Sequence, residues 1–115
     1  MDTALVVTWR TPFPGREQQA LDYGVEVQQH WGKLAADGAC TAPELYFLPD
    51  GSGMWIVKGE QARLEALFNA PVTQLLNTKG MLLLADYRWS FGVTGSGADA
   101  FMLRYATAAQ ELGVL

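Results

Sequence analysis

The sequence predicts an α+β domain: one antiparallel sheet of four strands, helices packed on one of its faces, and a further helix at the C-terminal end. Three observations carry that expectation. Apolar residues change period along the chain, from strand-like runs to a helical stripe and back. A Pro-Asp-Gly turn in mid-chain separates two β-rich runs, the pattern of a hairpin. The 115 residues, half of them hydrophobic and only 17% charged, suit a single domain over 1–115 with an apolar core and not a disordered segment.

The first strand is "ALVVTWR", Ala4 to Arg10, rich in β-branched and aromatic residues and closed by Thr11-Pro12-Phe13-Pro14-Gly15, whose prolines cannot extend a ladder. From Arg16 to Asp37 the period becomes helical, with Ala20, Gly24, Val27, Trp31, Leu34 and Ala35 in one stripe and Gly38 as the stop. The hairpin follows, with strands Glu44 to Leu48 and Met54 to Lys58 around Asp50-Gly51-Ser52-Gly53. A second helix starts near Gln61, carries Leu64, Leu67 and Phe68 on one side, and breaks because Pro71 disfavours helical geometry at Ala70. Its continuation through Leu75 and Leu76 is expected to end at Gly80. Within Leu84 to Val93, the residues Tyr87, Trp89, Phe91 and Val93 alternate with Arg88 and Ser90 as a fourth strand. Ser96 and Asp99 have capping-box spacing for a last helix, whose apolar face is Ala98, Phe101, Met102, Tyr105, Ala109 and Leu112.

Strand, helix, strand, strand, helix, strand is the split βαβ, or ferredoxin-like, order, and right-handed crossovers make one antiparallel sheet its simplest closure. The stretch "ARLEALFNAPVTQLLNTKGMLLLADYRWSFGVTG" resembles the second half of dimeric α/β-barrel proteins, in which a helix broken at a proline returns into a fourth strand of alternating aromatics. The resemblance runs from Leu5 to Val93 and is one of pattern, without the signature of a subfamily. It implies that two sheets pack face to face as a barrel, with a cavity between helices and sheet or at the sheet's open face.

The strands themselves ask for a second copy. A sheet covered on one face alternates cleanly between apolar and polar, but here Leu5, Val7 and Trp9 oppose Ala4 and Val6, and Trp55 and Val57 oppose Met54 and Ile56. Both faces are substantially apolar, and a patch of several hundred Å² usually marks an interface. A homodimer through the second sheet face is therefore expected; the alternative is that the C-terminal helix folds over that face within one chain. Register follows from charge. Pairing the first strand antiparallel to the fourth with residue numbers summing to 96 puts Arg10 opposite Asp86, whereas 98 puts it opposite Arg88, and like charges disfavour the second.

Charge and composition exclude several functions. A net charge of −4 with eight scattered basic residues does not make a nucleic-acid groove. No stretch reaches the roughly 20 apolar residues that span a bilayer, the N-terminus lacks an export signal, and one cysteine makes no internal disulfide. A cytoplasmic protein without nucleic-acid or membrane partners is expected. One histidine and one cysteine leave no recognisable zinc ligand set, and Cys40 is expected to be a small buried residue. Gly95-Ser96-Gly97-Ala98-Asp99-Ala100 matches a dinucleotide fingerprint, but too little chain follows for the parallel strand and acidic ribose contact that such a site needs; Gly95 and Gly97 are read as turn residues. Some families of the resembled group bind haem, yet nothing besides His30 supports a ligand here, so no cofactor is expected.

Two constellations remain. His30 lies at the edge of the first helix's apolar stripe, one turn after Glu26, and is either a helix-flank histidine or a general base held by that carboxylate. Trp9, Trp55, Tyr87 and Trp89 share strand parity and form either core or an aromatic wall for a planar ligand, with Arg10, Arg88 and Ser90 as polar anchors. The chain is accordingly expected to bind a small apolar or aromatic molecule as a homodimer. The alternatives are a cofactor-independent monooxygenase or isomerase acting on an aromatic, lactone or polyketide-like substrate, since enzymes of the resembled group use Trp, Tyr and Asn around such substrates, and a purely structural interaction module.

Overall fold

The structure is a computed structural model and describes residues 1–114. Its elements are β1 (Thr3–Trp9), α1 (Glu17–Ala36), β2 (Glu44–Phe47), β3 (Gly53–Gly59), α2 (Gln61–Asn69), α3 (Pro71–Leu83), β4 (Arg88–Val93) and α4 (Gly95–Glu111). The four strands form one antiparallel sheet in the order β2-β3-β1-β4, the ferredoxin-like arrangement expected from the element order.

β1 pairs with β4 from Thr3↔Val93 to Thr8↔Arg88, a constant sum of 96, and Pro12↔Leu84 continues the same register. Arg10 Nε lies 3.0 Å from Asp86 Oδ2, the pairing that charge favoured. Asp86 has φ of 54°, a left-handed conformation that Asp tolerates better than most residues. It ends the regular β4 ladder at Arg88, so β4 is shorter than the alternating segment from Leu84.

Odd-numbered β1 residues face the helices. Leu5, Val7, Trp55 and Val57 pack there with Val27 and Trp31 of α1, Leu64 and Phe68 of α2, and Leu76 of α3. Pro71 occupies the first turn of α3, after Ala70 in extended geometry, so the proline divides the helix as expected. Gly38, with φ of 80°, follows α1 as its stop.

Two expectations fail. Gly80 does not end the helix; α3 continues to Leu83. Its role is packing, because a Cβ at Gly80 would overlap Tyr23 Oη and the Tyr87 ring. Ser96 does not cap α4, which starts at Gly95 after Thr94 without a side-chain cap. Gly95 and Gly97 instead seat the first turn on the carbonyls of Met1 and Asp2, where a Cβ would collide.

The even-numbered face carries no helix. Its central row runs Glu44, Ile56, Val6, Ser90, and the next Tyr46, Met54, Thr8, Arg88. Val6, Met54 and Ile56 form a half-buried apolar centre between the Lys58–Glu44 pair at 3.7 Å and Arg10–Asp86. α4 does not fold over this face to bury its own stripe: Phe101 is 49%, Tyr105 69% and Leu112 76% exposed. The radius of gyration is 16.6 Å, against about 13 Å for a compact chain of this length.

Candidate functional site

A cavity of about 280 Å³ opens between α1 and the sheet. On the sheet side its wall is Trp9, Leu45, Phe47 and Trp55; on the helix side it is Ala20, Tyr23, Gly24 and Val27. The rim includes Pro12, Glu17, Leu21 and Gly51.

Side-chain volume along α1 explains why space remains. Trp31 is 1% exposed and packs its ring 5.6 Å from that of Trp55, which closes the far end of the helix against the sheet. Two turns earlier the same face carries Gly24 and Ala20, and nothing comes within 4 Å of a Cβ built at Gly24. Gly53 shapes the opposite wall. A Cβ there would overlap the Trp9 indole, so only glycine lets that ring lie across β3, edge-on to Phe47 at 6.2 Å.

A polar chain lies behind the cavity. Tyr23, whose ring lines it, donates its hydroxyl to Tyr87 Oη at 3.2 Å. Tyr87 Oη donates onward to Asn77 Oδ1 at 3.1 Å, and Asn77 Nδ2 is buried without a protein partner. Burial raises both phenols above the ordinary tyrosine range, so they stay protonated and act as donors, not as bases.

The expected site residues divide by strand parity. Trp9 lines the cavity. Tyr87 belongs to the polar chain, and Trp89 packs with Tyr87 and Phe68 at the β4 edge, at centroid distances of 5.9 and 5.6 Å. Arg10, Arg88 and Ser90 are exposed on the other side of the sheet and do not reach the cavity. Tyr23, Gly24, Ala20 and Asn77 were not singled out as site residues from sequence. The run of small residues at 20 and 24 on an otherwise bulky stripe was the available signal.

His30 is elsewhere again. It lies in a groove between α1 and α3 with Gln29, Val72 and Leu75, its Nε2 2.9 Å from Thr73 Oγ1 in a shared hydrogen bond. Glu26, expected to hold the ring, instead accepts from Lys79 Nζ at 2.9 Å. Burial lowers the His30 pKa and outweighs the opposing pull of Glu26. Cys40 is buried, and burial pushes its thiol up, away from thiolate reactivity. Among the described residues, no three His, Cys, Asp or Glu side chains come together as a metal site, and no helix is long and apolar enough to cross a membrane.

No family model matches the chain, and no curated protein does. Solved structures do match. A Mesorhizobium loti protein described as a dabb family protein with a ferredoxin-like fold has 9% identity and a TM-score of 0.60 over 83% of this chain and 99% of its own. A Deinococcus radiodurans protein, provisionally described as an antibiotic biosynthesis monooxygenase, has 9% identity and a TM-score of 0.65 over 81% and 92%. A Bacteroides fragilis protein described as dimeric, with a ferredoxin-like fold and unknown function, has 6% identity and a TM-score of 0.55 over 80% and 96%. At these identities the likeness is one of architecture: the chain has the ferredoxin-like α+β fold of the dimeric α/β-barrel proteins.

Proposed function

We propose that the protein binds a small planar apolar molecule in the cavity between α1 and the sheet, and does so as a homodimer joined through the open sheet face. One observation carries the ligand: a cavity walled by two indoles and floored by Ala20 and Gly24, with its few polar groups at the rim or tied up in the tyrosine chain. At about 280 Å³ it lies at the small end of ligand sites, which start near ~300 Å³, and suits one or two fused rings. The dimer is supported by the apolar centre of the even-numbered face with ion pairs at its margins, the anatomy of an interface core and rim. Cytoplasmic residence belongs to the same proposal, supported by a lone cysteine with no partner for a disulfide.

Catalysis without a cofactor on such a ligand is the second reading. The specific observation is the Tyr23–Tyr87–Asn77 chain at the cavity wall, in which the Tyr23 oxygen, its own proton given to Tyr87, keeps lone pairs to accept from a ligand hydroxyl, together with the monooxygenase description of the Deinococcus neighbour. His30 has no part in it, because it opens onto a different groove.

Titration with 1,4-naphthoquinone, read by tryptophan fluorescence, tests the binding site. Saturable quenching is expected, because Trp9 and Trp55 both line the cavity. Gly24→Leu fills the open space and should abolish that saturation while the circular dichroism spectrum is kept, since a helix accepts Leu better than Gly. Linear quenching unaffected by Gly24→Leu would rule the cavity out. Tyr23→Phe then separates the readings: a binder keeps its affinity, whereas an enzyme loses turnover of the quinol or lactone tested.

A further inference from the structure

The last helix has no place to go within its own chain. Thr94 is the only residue between β4 and α4, whereas connections that reverse a chain commonly need about 2–6 residues. α4 therefore runs on from the strand's end, and the molecule measures 53 × 33 × 23 Å. Of its 17 residues only Ala109 is buried, although Phe101, Met102 and Tyr105, with Leu112 at the C-cap, recur at helical spacing. The rings of Phe101 and Tyr105 stack at 6.4 Å in solvent. A helix with such a stripe is normally packed against something.

We infer that α4 is an exchange arm whose apolar stripe packs on a second copy of this chain. The inference rests on the sheet-face dimer proposed above and extends it. Area is the first argument. Four strands at about 4.8 Å spacing, each at most seven residues long at about 3.3 Å per residue, give a sheet face of roughly 450 Å². A stable interface takes about 800 Å² of accessible surface from each partner, well above this flat footprint, so a further element enlarges what the sheet face offers. An arm of 17 residues is roughly 26 Å long and about 10 Å across. In a two-fold dimer each copy both gives and receives one, and the total reaches the required size.

Continuity is the second argument. The open face ends at the row Lys58, Ala4, Gly92, and α4 begins three residues beyond Gly92, rooted on Met1 and Asp2. A partner seated on that face borders the root of the arm. Charge argues against an anionic lipid surface as the occupant. α4 carries one basic residue, Arg104, against Asp99 and Glu111, and lacks the cationic face of interfacial helices.

Sedimentation velocity across a dilution series tests the arm on the full chain, with Phe101→Asp/Tyr105→Asp and, separately, Ile56→Glu. The double variant is expected to weaken dimerisation at least about 100-fold, as loss of two aromatic anchors does, with its circular dichroism unchanged. Hydrogen exchange supplies a second reading on the unaltered protein. Amides of α4 should be protected in concentrated solution and lose that protection on dilution, in step with dissociation. A dimer that Ile56→Glu breaks and the double variant leaves intact would overturn the arm and keep the sheet-face interface. A wild-type monomer at all concentrations would overturn both, and α4 protection independent of concentration would mean that the helix is covered within its own chain.

Discussion

The two halves of α1 lie over the same sheet and do opposite things. At the C-terminal half, Trp31 fills the space down to Trp55; at the N-terminal half, Ala20 and Gly24 leave a void beside Trp9. Both halves belong to one continuous helix, and the side-chain volume they carry differs where the fold is solid and where it is hollow. One helix thus supplies both the anchor of the core and the opening of the site.

Breaking the solid half should have the largest effect. Trp31→Ala removes a fully buried ring and is expected to cost about 3–5 kcal/mol, read as a lower urea midpoint. A loss under about 1 kcal/mol would mean that the far end of α1 collapses as readily as the near end is open, and the contrast would vanish. Tyr87→Phe probes the seam behind the hollow half. It takes the donor from Asn77 Oδ1 and the acceptor from Tyr23, and buried groups left unpaired should cost about 1–3 kcal/mol in the same measurement.

The smallest effect concerns pH at the α1–α3 groove. The folded pKa of His30 lies below the ordinary histidine value of 6.5, so between those two values the unfolded chain binds more protons than the folded one. The stability contributed by the neutral ring is complete above 6.5 and is lost as pH falls through the folded pKa. Melting temperatures measured from about pH 7.5 down to about pH 5 should fall more steeply for wild type than for His30→Gln. Equal slopes would show that the ring is as well solvated in the folded chain as in the unfolded one.

What the sequence disclosed follows from period and charge. The hairpin around Asp50-Gly51, the break at Pro71 and the β1–β4 register set by Arg10 and Asp86 were all readable, because each depends on local chemistry or on one pair. Gly80 was not. A glycine after an apolar helical run signals a stop as well as a close contact, and only the positions of Tyr23 and Tyr87 distinguish the two. The site was half readable for a related reason. Strand parity separates Trp9 from Arg10 and Trp89 from Arg88 and Ser90, so the two sets cannot share one face. Which face the helices cover, however, is set by tertiary packing. The tyrosine chain was hidden because its members, Tyr23, Asn77 and Tyr87, come from three different elements or their flanks.

The open space above Gly24 also bears on how this chain can diversify. A new side chain at Gly24 meets nothing within 4 Å, and Ala20 lines the same cavity one turn away. Single substitutions at these two positions therefore change the shape of the hollow without touching strand pairing, the Trp31 anchor or the tyrosine chain. Volume at these two positions is thus a free variable of the chain, set independently of what holds the fold together.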